Sequence, residues 1–315
     1  MVSQIGFDSL LSVDCAPMEQ LDLFAHSRDV MLRRDVLAAI EARRALPGRV
    51  ALDKLASAYP QDSLLPAFEV LVCALESPVV RFSDHEAALT AGEILETVIQ
   101  SAANRLLSPT SARHWIEQEW RAQAQAAEDL AYSPISPQAH AVPCLLRAGA
   151  WRAAECAVGR IASWRRIPLP LAWMTQARMG SDGLAASWPL LAELAWLDPP
   201  GFDGLVRGLE DASLQRLLRD FDANYDANFE DESASGADDP AQELAWFPAW
   251  CLLAEPGLAH PFRQTEPGTD GDPERAARLL LELLLLEKQG SPLLLQRKQL
   301  RGLHAGLFAR YMQTR

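Results

Sequence analysis

Lysine is nearly missing from this 315-residue chain: three (Lys54, Lys288, Lys298) stand beside 26 arginines. Acids outnumber bases 42 to 29, for a formal net charge of −13. A surface of that sign repels phosphate, which argues against general binding to nucleic acid or to anionic membranes. Long hydrophobic runs are missing too. The most apolar stretch, LLLELLLL over 279–286, is much shorter than the roughly 20 residues that cross a bilayer, and it contains Glu282; it is read as a core helix. The opening MVSQIGFDSLLSVD has neither a basic leader nor a long apolar core, so no signal peptide is expected. The five cysteines (15, 73, 144, 156, 251) are odd in number, scattered and free of any CxxC pair. That argues against a disulfide framework and against a zinc site. Four of them lie in apolar helical patterns, where buried free thiols are expected. The expected compartment is the cytosol, and the Arg-over-Lys bias with heavy Ala and Leu usage is that of a high-GC bacterial genome.

Strand-like alternation does not occur, and almost every segment reads as helix punctuated by Pro and Gly. Helices are predicted near 20–45, 49–58, 63–76, 84–107, 111–131, 138–148, 150–164, 170–179, 184–197, 203–222, 241–254, 273–289 and 292–312. Ser83 and Ser111 are the expected caps of two of them, and Asp272-Pro273 places Pro in a first turn. Many short helices with brief turns predict an all-α array rather than a simple four-helix bundle.

The most informative pattern is a repeat. Gly149 and Gly183 are 34 residues apart in similar settings, and aligning them lays residues 145–166 over 179–200. Trp151, Ala154, Val158 and Ile161 then fall on Ala185, Trp188, Ala192 and Ala195, each set at helical spacing. A fainter third copy has Trp120, Ala124 and Ala127. A period of 34 marks a helix–turn–helix unit that buries its apolar face only by stacking on a neighbour. AGAWRAAECAV resembles the turn and second helix of a tetratricopeptide repeat, with Gly149 closing the first helix, Trp151 two positions on and Ala154 at the tight helix contact. In the second copy Ala185 and Trp188 exchange large and small, and the family's Leu-Gly pair and Tyr are not found in the first helices. The resemblance spans about residues 137–200. It implies stacked antiparallel hairpins, an α-solenoid-like array with a C-terminal helical cap, and a surface suited to a protein or peptide partner.

Three regions are expected along the chain: the hairpin array over 1–228, an acidic linker or loop over 229–240, and C-terminal helices over 241–315 packing on the array. Charge is uneven. Residues 203–243 carry twelve acids and three arginines, whereas 291–315 carry Arg297, Lys298, Arg301, Arg310 and Arg315 with no acid. The simplest expectation is that the basic tail packs on the acidic surface of its own chain or of a second copy, with self-association as the second case; contact with a membrane or nucleic acid is the minority reading.

Several constellations have residue types that could carry chemistry. Asp220, Asp222, Asn224, Asp226, Asn228 and Asp231 have the spacing of a calcium loop, but Tyr225 stands where the sharp turn needs Gly and Asp231 where a bidentate Glu belongs. A solvated acidic loop is the better reading. His114 and Glu117 share a helical face, yet a di-metal bundle needs two Glu-x-x-His units, and this single unit runs in reverse. His85-Glu86 has no second His to make a metalloprotease helix. His140 lies one turn before Cys144, with Cys156 beyond; packing explains them better than a thiolate. No nucleophile elbow, P-loop or dinucleotide fingerprint occurs. Trp246 and Trp250, four apart, read as core. No catalytic, cofactor-binding or metal-binding residue is therefore assigned. The functional expectation is a protein–protein interaction module, an adaptor or chaperone-like scaffold. The alternative is an enzyme or a small-molecule or metal binder with a pocket between helices, for which His114, Glu117, Asp220, Asp222 and Asp226 are first suspects.

Overall fold

The computed structural model describes residues 19–229, 240–287 and 293–314. Among them every regular element is helical. Cα packing groups the chain into two compact units, 1–79 with 93–116 and 80–92 with 117–315. The sequence pattern did not mark this division. The 229–240 linker lies, but for its ends, outside the described residues, as do the segment 1–18 and Cys15.

The first unit holds α1 (Glu19–Glu41), α2 (Ala45–Ala58) and α3 (Leu65–Glu76). Helix α4 (His85–Ile94), most of which belongs to the second unit, passes through one wide π turn, Leu95–Ile99, into α5 (Gln100–Leu106), and α6 (Pro109–Ala126) is divided between the units after Ile116. Helices α1, α2 and α3 pack on one another, and α3 packs on α5. Val36, Ile40, Leu55, Phe68, Leu71 and Leu95 are fully buried and form that core. Turn chemistry fixes the ends. Asp62 accepts from the Leu64 N–H at 2.9 Å ahead of α3, and Ser77-Pro78 ends it. Asp84, not Ser83, caps α4 by accepting from the Ala87 N–H at 2.8 Å, while the Ser83 hydroxyl donates to Asp84. Ser108, not Ser111, caps α6, accepting from the Ser111 N–H at 3.2 Å with Pro109 in the first turn. Arg49 clamps α2 to α3, donating to both carboxylate oxygens of Glu69 at 2.8 Å and to Glu76 at 2.6 and 2.9 Å.

The second unit holds α7 (Ala141–Arg147), α8 (Trp151–Gly159), α9 (Pro168–Asp182), α10 (Leu184–Leu197), α11 (Pro199–Val206) and α12 (Ala212–Phe229). Then come α13 (Pro240–Glu243), α14 (Phe247–Ala254), α15 (Ala259–Phe262), α16 (Asp272–Glu287), α17 (Leu294–Leu303) and α18 (Ala305–Gln313). Each packs on its sequence neighbour from α7 to α11, and α7 and α11 also touch α9. Both repeat glycines sit at helix-to-helix turns with positive φ, 62° at Gly149 and 78° at Gly183. Gly149 ends α7 in a Schellman arrangement: the Ala150 N–H reaches the Leu145 carbonyl at 2.9 Å and its own N–H reaches Leu146 at 3.1 Å. Gly183 combines φ 78° with ψ −176°, a region that side chains with a Cβ essentially never enter.

The stripe expected over 150–164 is buried at Ala154 and Val158 of α8 and at Ile161 in the turn beyond it, with Trp151 half-buried; the helix itself ends at Gly159. On α10 it is not a stripe. Ala185 is exposed, and every residue from Ser187 to Trp196 is buried, because α9, α11, α14 and α15 surround this helix. The predicted single helix over 203–222 is two helices. Asp198 starts α11 by accepting from the Gly201 N–H, and Asp211 starts α12 by accepting from Ser213 and Leu214 N–H at 2.9 Å. The predicted 292–312 helix likewise breaks at His304, whose Nδ1 accepts from the Leu307 N–H. Helix α14 packs on α10 and α12, and α18 on α12 and α14. LLLELLLL is a core helix, with Leu280, Leu283 and Leu284 buried and Glu282 exposed. Trp250 is core; Trp246 is half-buried with its ring against His304.

Candidate functional site

Two concavities and one buried ionic cluster concentrate polar side chains. The first is a cleft of about 390 Å³ in the second unit, lined by Glu128–Tyr132, His140, Arg160, Ile161, Ala162 and Ile167. Pro134 and Pro137 shape the loop that precedes α7 and bring Tyr132 and His140 together. His140 caps α7: its Nδ1 accepts from the Val142 N–H at 3.3 Å. Its ring lies parallel to Trp173, 6.0 Å between centroids, and Tyr132 meets both rings edge-on. The residue is 9% exposed. Burial, then the charges of Arg160 and His85, push the imidazole down to about 4, so it is neutral at pH 7. With Nδ1 accepting, the ring proton of the neutral form sits on Nε2. At the rim, Arg160 lies 3.8 Å from Glu128 and Arg81 pairs with Asp129 at 2.6 Å. His85 holds the Ala131 carbonyl at 2.9 Å.

The second concavity is a groove between α1 and α2 in the first unit. Leu32, Ala38, Ala39 and Ala42 line one side and Pro47, Val50, Ala51 and Ala58 the other. Arg28, Arg44 and Lys54 supply three cations at its edges against Asp35 and Asp53. Val50 is 47% exposed. The lining recurs at intervals of three and four on each helix, the spacing of one helix face. Its small residues permit close approach.

The ionic cluster lies where the 263–271 loop meets α10, α16 and the turn 164–166. Glu193 is buried on α10, accepts from the Glu266 N–H at 2.8 Å and pairs with Arg165 at 3.2 Å; Arg165 also pairs with Glu266. Burial raises the Glu193 carboxyl against the pull of that N–H and of Arg165. Next to it, Glu274 is 2% exposed and accepts from three successive N–H groups, Gly268 (2.9 Å), Thr269 (2.7 Å) and Asp270 (3.0 Å). The Thr269 hydroxyl and the Arg278 guanidinium complete its shell at 3.0 and 2.8 Å. Arg278 in turn lies over the Trp196 ring. This cluster organises a loop; Glu274 is fully partnered, whereas Arg165 Nε and Trp196 Nε1 are buried without a hydrogen bond among the described residues.

The sequence-derived suspects are dispersed. His114 is exposed on α6 and Glu117 half-buried. Asp220, Asp222, Asn224 and Asp226 belong to α12, not to a loop, and on a helix Asp220 and Asp222 point about 200° apart. Tyr225, at the position that a calcium loop gives to Gly, is buried and stacks on Phe221 at 4.6 Å. Asp231 lies outside the described residues. Among the described residues no group of three or more His, Cys, Asp or Glu is placed to hold a metal. His140 and Cys144 do not form a reactive pair, because burial pushes the thiol up to about 11 while the imidazole is held neutral. The expectation of buried thiols holds for Cys144 and Cys251; Cys73 and Cys156 are exposed. Cys73 is exposed because the polar edge of α3 faces Arg49, to which it is hydrogen-bonded at 3.4 Å.

The basic stretch 291–315 begins outside the described residues, and its described part folds on its own chain. Arg310 lies over Trp250 at 4.8 Å, near Asp220 of the acidic stretch, and Arg297 lies 3.6 Å from Glu287. Among the described residues, no helix is long and apolar enough to cross a membrane. Tyr132, Arg160, Trp173 and the groove residues went unmarked in the sequence. The paired prolines beside an aromatic and a histidine are the one signal that points toward the cleft. No protein-family model matches the chain, and no curated protein and no solved structure is similar to it.

Proposed function

We propose that the chain is a protein–protein interaction module, an adaptor or chaperone-like scaffold built from stacked helical hairpins of tetratricopeptide type. The α1/α2 groove carries the reading: an apolar floor of small residues, uncovered among the described residues, with exposed Val50 on its wall. Its occupant is one amphipathic helix of a partner protein, small and apolar on the docking side and acidic at its flanks, to meet three cations set against two acids. The contacts of α7 and α11 with α9, alongside the neighbour-to-neighbour packing, support the proposed hairpin stack. The proposed setting is a bacterial cytosol, where a reducing milieu keeps exposed Cys73 and Cys156 free. Self-association through the 203–243 and 291–315 stretches is the lesser reading, since α18 already packs on α12 of the same chain.

Purification of the tagged full chain from its host should yield a stoichiometric partner, and a synthetic helix from that partner should bind the pure chain. Ala38→Arg and Val50→Asp fill or charge the groove at exposed positions. Each is expected to weaken that helix at least tenfold, about 1.4 kcal/mol, with an unchanged melting curve. Equal affinity for the wild-type chain and both variants would remove the groove from the reading. A chain that comes out alone would remove the reading itself.

A further inference from the structure

We propose that residues 3–14 of this chain, SQIGFDSLLSVD, occupy the α1/α2 groove of their own molecule and must leave it before a partner helix enters. The proposal rests on the reading of that groove as a docking site and adds its regulation. The groove sets two requirements on an occupant. The first is charge. On the same two helices Arg33 pairs with Asp29 and Asp62, and Arg49 with Glu69 and Glu76. Arg28, Arg44 and Lys54, at the groove edges, make no ion pair among the described residues. The second is apolar bulk. Ala38, Ala42, Pro47 and Val50 give the lining a small, apolar character. Met31 and Leu46, next in sequence to the lining residues Leu32 and Pro47, are 64% and 74% exposed. Large apolar side chains fill a floor of small ones, and carboxylates answer the unpaired cations.

A segment with both properties stands directly ahead of α1. Residues 1–18 carry Ile5, Phe7, Leu10, Leu11 and Val13 with Asp8 and Asp14, and no Lys, Arg or His. They lie outside the described residues, and their covalent link to α1 ties them to one wall of the groove. Along α1 the groove runs about 21 Å from Arg28 to Ala42, and Arg28 is about 14 Å from Glu19, at about 1.5 Å per residue. Eighteen residues span up to about 60 Å, so the reach is sufficient for the whole length. Residues 230–239, EDESASGADD, carry more acid but no apolar side chain larger than Ala, and so meet only the first requirement. A tether this short presents the segment at an effective concentration of roughly millimolar, against which a free helix has to compete.

A labelled synthetic peptide of residues 2–18, titrated into the full chain and followed by fluorescence anisotropy, tests the assignment. Against the wild-type chain the peptide competes with its own tethered copy. Leu10→Asp with Leu11→Asp disables that copy, and the peptide should then bind at least tenfold tighter. Asp8→Lys with Asp14→Lys keeps the apolar residues and should raise the affinity for the peptide at least threefold. Adding Val50→Asp to the leucine variant should reverse the tenfold gain with an unchanged melting curve. Equal affinity in the wild-type chain and the leucine variant, no saturable binding to that variant, or a gain that survives Val50→Asp would each overturn the proposal. A wild-type chain that sediments as a dimer, with the leucine variant a monomer, would place the segment in a second copy and overturn the assignment to its own molecule. The two readings fail separately. A partner helix that binds the wild-type chain and the leucine variant equally removes the regulation alone. A chain that is purified without a partner, yet takes up its own peptide as described, removes the adaptor and leaves the self-contact.

Discussion

Replacing Glu274 with Ala is expected to lower stability by about 3 kcal/mol, measured as a shift of the urea midpoint at unchanged slope. The carboxylate is the single acceptor for the N–H groups of Gly268, Thr269 and Asp270 and is paired with Arg278. Removing it strands these donors in a site it fills to 2% exposure. Glu274→Gln should cost less than Ala but remain destabilising, since an amide accepts at one atom where the carboxylate accepts at two. The same group sets a pH dependence. Burial alone would raise its pKa, but the Gly268 N–H, the Arg278 guanidinium and Thr269 outweigh burial and hold it at about 2, below the ordinary 4.5. An acid depressed by folding stabilises the fold fully above its unfolded pKa and loses that contribution as pH falls toward its folded one. The wild-type chain should therefore lose on the order of 3 kcal/mol from this group between about pH 4.5 and pH 2. Glu274→Gln should be flatter across that window. A mutant that follows the wild-type acid limb would show that the loop is not held this way.

Gly180→Leu should be of similar size, about 3 kcal/mol destabilising, although helix propensity alone favours Leu over Gly by about 1 kcal/mol. The sign is decided by Trp151. A Cβ on Gly180 would lie 2.7 Å from the indole Cγ and closer still to Cδ2 and Cε2. Helix α8 rests its tryptophan flat on the bare backbone of α9, and any side chain there must evict the ring. A double-mutant cycle separates this from a general intolerance of change. With Trp151→Ala in place, Gly180→Leu should cost little, giving an interaction energy of about 2 kcal/mol. Additive losses would show that the close approach of ring and backbone is not the reason for the glycine.

That contact also shows what could be read in advance. Gly149, Trp151 and Ala154 were legible because their roles are local: a left-handed turn, a large side chain one step inside the next helix, and a small one at a crossing. The partner of Trp151 was not legible, because Gly180 lies on another helix and nothing in its own neighbourhood distinguishes it. The same holds for α10. Periodicity predicts one apolar face, but a helix enclosed by four others has no outside, and Glu193 is buried only because a distant loop offers it an N–H. The break after Val206 depended on Asp211 acting as a cap, which one acidic residue in an acid-rich stretch does not announce. The stretch from Asp220 to Phe229, read as a solvated acidic loop, is instead the end of helix α12, because Phe221 and Tyr225 give it a buried face. His140 was noticed for Cys144, four residues on, whereas its structural neighbours are Tyr132 and Trp173, and sequence spacing carries no information about ring stacking across a loop.

The scarcity of lysine acquires a practical meaning from where Lys54 sits. Of the three side-chain amines in the chain, Lys288 lies outside the described residues, Lys298 is exposed on α17, and Lys54 is exposed at the edge of the α1/α2 groove. Guanidinium groups do not react with acylating reagents at neutral pH, so covalent labelling of this protein reports on very few places. One of them stands guard over the groove. Acylation of Lys54, with Lys298 as the internal reference, thus reads how much of the groove is covered in a crude extract, before any partner has been purified.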